Sequence, residues 1–144
     1  MVAIIIHRGR ILLLKRRSVP FILNPGIWSF LSGGRKRGEP YLCTAYREIE
    51  EESGIKIGYL KLLHCGRATL ADPRRMLRWS NRLYVFRSRT SKVRLDMENS
   101  AYRWATISEI RDHDRYTNVF IDENFILCII GRFLYGSGKP AKKD

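Results

Sequence analysis

The stretch 33-GGRKRGEPYLCTAYREIEEESGI-55 decides how this chain reads. Its centre predicts a helix over Glu39 to Ser53. Leu42, Ala45, Tyr46 and Ile49 recur at spacings of three, one and three, which marks one buried stripe. Pro40 suits a first helical turn, and Gly54 suits a left-handed cap at the other end. Glu48, Glu51 and Glu52 then stand at i, i+3 and i+4, stacking three carboxylates on one face. Such like charges repel by about a few tenths of a kcal/mol per pair. The helix dipole disfavours them further near the C-terminal end. A cation compensates both costs, and an all-oxygen ligand set suits Mg²⁺ or Mn²⁺. The plainer alternative is a solvated acidic face, with Glu50 on another side of the helix. Two neighbours favour the site. Gly33 and Gly34 let backbone groups approach a ligand closely, and Arg47 can orient a carboxylate through a bidentate contact.

The same residues resemble the Nudix box, G-x5-E-x7-R-E-U-x-E-E-x-G-U with U aliphatic. Here Gly33 is followed after five residues by Glu39, and after seven more by Arg47, Glu48, Ile49, Glu50, Glu51, Glu52, Ser53, Gly54 and Ile55. Trp28 upstream fits the pattern, as do Glu98, Tyr102-Arg103-Trp104 and Ser108-Glu109-Ile110 downstream. Ser32 departs from it, since many members have proline there. The resemblance implies an α/β fold, a Nudix-type α/β/α sandwich whose mixed sheet is flanked by the box helix and a C-terminal helix. It implies a Nudix hydrolase that cleaves the pyrophosphate of a nucleoside diphosphate linked to another group, with Mg²⁺ (or Mn²⁺) as cofactor. Glu48, Glu51 and Glu52 would hold the metal, with the Gly33 carbonyl as a further ligand, and Arg47 and Glu39 would orient the ligands. The general base would come from the box or from a downstream loop, where Glu98 is the candidate.

The substrate stays open among a nucleotide sugar, ADP-ribose, a nucleoside triphosphate and a dinucleoside polyphosphate. Pro73, 18 residues past Ile55, matches the family's marker for ADP-ribose only imperfectly, and Tyr84 lies too far downstream to match the marker for dinucleoside polyphosphates, so neither decides. Two alternatives stand beside these: the 5′ end of RNA as substrate, and a binding module without catalysis. The complete set of three glutamates argues against the second.

Working outward, Val2 to Ile6 and Ile11 to Leu14 predict a hairpin around His7-Arg8-Gly9-Arg10, with Gly9 supplying the positive φ. Their nearly continuous apolar runs predict strands buried on both faces. Ser18 to Ile27 reads as a loop, Ile27 to Leu31 as a short strand and Ser32 to Gly34 as a flexible turn. Ile55 to His64 reads as a strand, which Arg67 to Leu70 continues, and Ala71 to Arg75 as a turn. Arg78 to Arg87 and Tyr102 to Thr106 predict further strands, separated by a polar loop at Arg89 to Ser100. Ser108 to Ile110 caps a short helix, Arg111 to Arg115 forms a charged loop, and Val119 to Leu134 reads as a very apolar helix. The expected division is one domain over 1–135 and a flexible basic tail over 136–144.

The 144 residues carry 27 Lys and Arg against 14 Asp and Glu, a net charge of +13. Basicity of this size speaks to partners, not to fold. Residues 33–55 hold four basic and five acidic residues, so the whole positive surplus lies outside them. An acidic site in a basic body suits a nucleotide-type polyanionic small molecule; a nucleic-acid partner is compatible but not required. Arg35 and Arg37 are candidates to grip phosphates, Trp28 and Phe30 to contact a base. Tyr84, Phe86, Trp79 and Trp104 read chiefly as core, and His7 and His64 as structural. Asp112-His113-Asp114 resembles a metal cluster by residue type alone, because adjacent positions do not converge on one ion.

Cys43, Cys65 and Cys128 read as reduced, half-buried thiols at no metal-like spacing, and no leader peptide is visible, so a cytoplasmic protein is expected. No apolar run approaches the ~20 residues that span a bilayer, so no membrane partner is expected. The C-terminal helix, apolar around much of its circumference, is a candidate homodimer face.

Overall fold

The computed structural model describes residues 1–21, 25–72, 76–112 and 123–134. The elements run β1 (Val2–His7), β2 (Arg10–Arg16), β3 (Trp28–Ser29), β4 (Leu31–Ser32), α1 (Tyr41–Ser53), a 3₁₀ turn (Ile57–Tyr59), β5 (Leu60–Asp72), β6 (Leu77–Ser88), β7 (Asn99–Ala105), α2 (Ile107–Asp112) and α3 (Glu123–Leu134).

The expected hairpin forms, with His7 opposite Arg10. Both central residues are left-handed, Arg8 at φ 47° and Gly9 at φ 76°. Two such residues make the tight turn whose twist matches its strands, so Arg8 shares the role expected of Gly9 alone. Seven strands form one sheet in the order β3-β2-β1-β6-β5, with β4 paired to β1 and β7 to β2. β1 and β6 run parallel and the other pairs antiparallel, so the sheet is mixed.

Alternation along β1 and β2 sends side chains to two separate cores. Val2, Ile4, Ile6, Ile11 and Leu13 pack with Ile107, Ile110, Ile129 and Ile130 of α2 and α3. Met1, Ala3, Ile5, Leu12 and Leu14 pack with Ala45 and Ile49 of α1. The sheet is therefore covered on both faces, giving the expected α/β/α layers and accounting for the unbroken apolar runs. Each fully buried Ile or Leu contributes roughly 1.5–3 kcal/mol. A one-residue slip of register would exchange the two cores at once.

Helix α1 begins one residue later than Pro40, which serves as its N-cap at φ −62° and ψ 142°. Gly54 closes it at φ 70°, its N–H donating to the Glu50 carbonyl. The strand expected at Ile55 starts only at Leu60, because Ile57–Tyr59 form a 3₁₀ turn. β5 then runs through Gly66 to Asp72 and pairs with β6, with a shift of register between Leu62 and His64. The short strand expected at Ile27–Leu31 is divided: β3 pairs with β2, and β4 turns onto β1. β4 takes in Ser32, so the flexible turn expected there begins one residue later. α2 extends the short helix expected at Ser108–Ile110 through Arg111 and Asp112. The tail, Pro73, His113, Asp114 and Val119 lie outside the described residues.

The cysteines depart from expectation, since all three are exposed. Cys43 sits on the outer side of α1 and Cys65 on the edge strand β5. Cys128 precedes the buried pair Ile129 and Ile130 on α3. Among the described residues, no helix is long and apolar enough to cross a membrane.

Candidate functional site

The site forms where the 33–40 loop folds against α1. Arg47 is its hub. Its Nε and Nη2 donate to the two oxygens of Glu39 at 2.8 and 3.0 Å. Nη1 donates to Glu48 at 2.8 Å and to Glu51 at 3.1 Å, and Nη2 also donates to the Gly34 carbonyl at 2.9 Å. All five guanidinium N–H donors are thus used. Glu39 accepts in addition from the Thr44 hydroxyl at 2.9 Å and from the Lys36 N–H at 3.1 Å. The bond from Arg47, followed by that from Lys36, holds the Glu39 carboxyl at a pKa of about 2. Glu39 and Arg47 therefore join the loop to the helix as a fixed charged unit.

Gly33 lies against Glu48. A Cβ built on Gly33 would overlap the Glu48 carboxyl group, so any side chain there displaces the carboxylate. The Gly33 carbonyl accepts from the Met1 α-amino group at 2.7 Å. Burial raises the Glu48 pKa, and the bond from Arg47 pulls it the other way. Gly33→Ala is expected to reduce turnover by about 100-fold or more, in the range found for misplaced catalytic groups. Circular dichroism should show the fold retained; wild-type kcat in this variant would contradict the close packing.

Glu52 differs from its neighbours. It is 7 % exposed and accepts from the Ser32 N–H at 3.3 Å. Burial, with the Asp96 charge adding to it, raises its pKa to about 8. Asp96 arrives on the 89–98 loop, which docks on the end of α1 through the Arg94 N–H and the Ser53 carbonyl at 2.8 Å. Val93 and Leu95 of this loop pack against the α1 core. One Asp96 oxygen accepts from the Glu98 and Asn99 N–H groups and the Asn99 amide, which fixes the loop end.

The three box carboxylates share a helix face as expected but point to different partners. Glu48 and Glu51 turn to Arg47, and Glu52 to the Ser32 N–H. Among the described residues, no three Asp, Glu, His or Cys side chains already surround one point. The donor chemistry still fits a hard divalent cation. Glu48, Glu51, Glu52 and the Gly33 carbonyl are all oxygen donors, and the absence of a side chain at Gly33 lets the Glu48 carboxylate lie against that backbone.

Glu98 stands farther out, its side chain 60 % exposed and 3.7 Å from Arg16. Arg35 and Arg37 are exposed on the loop, with Arg35 4.6 Å from the Tyr41 ring centre. The two expected base contacts both pack on the α3 side of the sheet, away from α1: Trp28 half-buried and Phe30 6 % exposed, because residues two apart on a strand share a face. Tyr84 and Phe86 are buried under α1. The His7 Nδ1–H donates to the Ser88 carbonyl at 2.9 Å, a structural contact. Sequence reasoning missed Thr44, Asp96 and the Ser32 N–H. Thr44 carried a signal, since a hydroxyl one turn after Pro40 faces back toward Glu39.

Comparison with known proteins gives a consistent picture. The family model described as NUDIX domain matches residues 1–126. A pig protein named bis(5′-nucleosyl)-tetraphosphatase (asymmetrical) is 29 % identical over 117 residues, covering 69 % of this chain and 78 % of that protein. An RNA pyrophosphohydrolase of Psychromonas ingrahamii is 41 % identical over 56 residues, covering 38 % of this chain and 31 % of that protein. The structure of a C. elegans Ap4A hydrolase binary complex superposes with a TM-score of 0.71 at 22 % identity, covering 94 % of this chain and 97 % of that one.

Proposed function

Because this chain belongs to the NUDIX domain family, we propose that it is a pyrophosphohydrolase that uses Mg²⁺ or Mn²⁺ to cleave a nucleoside diphosphate linked to a second phosphorylated group, a dinucleoside polyphosphate in the first instance. The observation that carries the reading is the saturated Arg47 clamp on Glu39, Glu48 and Glu51 beside the Gly33 cradle. A merely solvated acidic face does not call for a five-donor hub. The names of the pig and C. elegans relatives favour dinucleoside polyphosphates over the other substrates.

Glu48, Glu51, Glu52 and the Gly33 carbonyl would hold the metal. Bound there, the cation neutralises phosphate charge and lowers the pKa of a water molecule. Arg47 and Glu39 keep the carboxylates in place. Arg35 and Arg37, on the loop leading into the helix, neutralise the phosphates. Glu98, exposed beside Arg16, takes the proton of the attacking water.

A second reading, hydrolysis at the 5′ end of RNA, draws on the RNA pyrophosphohydrolase match and the net charge of +13. One substrate panel tests both, with Mg²⁺ and with Mn²⁺: diadenosine tetraphosphate, ADP-ribose, a nucleotide sugar, ATP and triphosphorylated RNA. The expected result is fastest release of nucleotide from diadenosine tetraphosphate, with kcat lowered in Glu98→Gln at nearly unchanged KM. Preference for RNA would establish the second reading, and no turnover with either metal would overturn both.

A further inference from the structure

Beyond the carboxylates, one basic cluster gathers around Tyr41. Arg67 and Arg82 stand directly opposite each other on β5 and β6. Like charges in that register repel and destabilise a strand pair. Arg82 lies 5.2 Å from the Tyr41 ring centre, and Arg35 reaches the same ring from the loop at 4.6 Å. Cation–π contact with one ring offsets only part of the repulsion among three guanidiniums.

Several other arginines have partners. Arg47, Arg16, Arg10 and Arg103 pair with carboxylates, and Arg87 and Arg89 donate to the Phe133 and Gly58 carbonyls. Among the described residues, Arg35, Arg67 and Arg82 have no ion pair. Arg67 and Arg82 line a recess of about 160 Å³ together with Tyr41, Ser80 and Asn81. Pockets for whole drug-sized ligands measure about 300–1,000 Å³, so this one suits a single small group. Two guanidiniums already cover the Tyr41 ring, which leaves a base little aromatic face to stack on. Guanidiniums and a hydroxyl around a small recess are the donors that recognise phosphate.

The recess adjoins the acidic site. Tyr41 precedes Glu48 by seven residues on α1, about 10 Å along the axis. Arg82 comes one residue before Leu83, the partner of Val2, beside the strand end where Met1 meets Gly33.

We propose that this recess binds a phosphate group of the nucleotide substrate remote from the bond that is cleaved. The inference rests on the function proposed above, and it makes substrates with a longer phosphate chain the better ones. Arg67 and Arg82 would act as binding residues and leave the chemical step to α1.

The test is calorimetric binding of inorganic tripolyphosphate, ADP and adenosine to the full chain in the presence of a chelator, so that no metal holds the phosphates. Tripolyphosphate and ADP should bind and adenosine should not. The double variant Arg67→Gln, Arg82→Gln should weaken tripolyphosphate binding by about tenfold or more. The double lysine variant should recover part of that loss. Thermal melts should show both variants folded, and the exposed single variant Arg67→Gln gives the same reading at one site.

In turnover, the double glutamine variant should raise KM for diadenosine tetraphosphate with kcat nearly unchanged. Unchanged tripolyphosphate binding in the folded double variant would overturn the proposal, as would adenosine binding as tightly as ADP. If wild-type protein hydrolyses no nucleotide, the proposed function fails, while the metal-free binding measurement still decides the recess.

Discussion

Glu52→Gln is expected to abolish most turnover and, at the same time, to stabilise the metal-free protein at pH 8. Both effects follow from one fact: Glu52 is a carboxyl 7 % exposed, with a pKa raised to about 8 by burial and the charge of Asp96. In the unfolded chain it ionises near the ordinary carboxylate value. Between that value and pH 8 the folded state keeps a proton that the unfolded state has lost. Stability of the metal-free protein therefore falls as pH rises through this window, by up to about 1.4 kcal/mol per pH unit. The raised pKa of Glu48 acts in the same direction.

Glu39 acts in a separate window. Its pKa is lowered to about 2, so its contribution is lost only as pH falls below the ordinary carboxylate value. Glutamine at position 52 removes the alkaline slope. The melting temperature of the metal-free variant at pH 8 should exceed that of wild type, and added Mg²⁺ should raise it less, because ligand-linked stabilisation depends on affinity. Turnover should fall by about 100-fold or more, beyond the usual effect of losing an outer partner of a metal site. A Glu52→Gln protein with wild-type kcat, or with an undiminished alkaline slope, would contradict the role given to this carboxylate.

Arg47→Lys is the second large effect. Lysine keeps the charge but has three donors on one nitrogen, and it has no fork to place two bonds on Glu39 while reaching Glu48, Glu51 and the Gly34 carbonyl. The 33–40 loop should loosen from α1, and the ligand carboxylates should lose their common orientation. The expected result is a loss of about 10- to 100-fold in metal affinity or activity, with a lower melting temperature. Restoring activity with high Mg²⁺ would place the damage in metal binding; a loss in kcat that metal does not restore would place it in the positioning of phosphate. Equal activity in wild type and Arg47→Lys would show that the hub is dispensable.

The parts of the site that were legible in the sequence are those that depend on local spacing. Glu39 and Arg47 are eight residues apart, and helix geometry alone brings the second back to the loop that carries the first. The Gly54 cap and the buried stripe at Ala45 and Ile49 are likewise properties of one segment. The hairpin and its two-sided burial were legible for the same reason.

What the sequence left unseen arrives from a distance. Asp96 reaches Glu52 only because Arg94 docks on Ser53, a contact across some forty residues with no pattern to mark it. Phe30 was read beside Trp28 as a base contact, yet the pleat turns it into the α3-side core. The cysteines look like core residues by type. Their exposure depends on which strand is the edge and which side of each helix is outermost. Ile57 to Tyr59 alternate well enough for a strand but wind into a turn before β5.

The two cores, one on each side of the sheet, have a consequence for how this molecule tolerates change. Every carboxylate of the candidate site belongs to the α1 layer or to loops resting on it. The α2–α3 layer meets that site only through the sheet. Replacements among Ile107, Ile110, Ile129 and Ile130 should therefore alter the amount of folded protein while leaving the properties of each folded molecule intact. One side of the sheet is free to drift in lineage or be redesigned at the bench as ballast, while the other carries the chemistry.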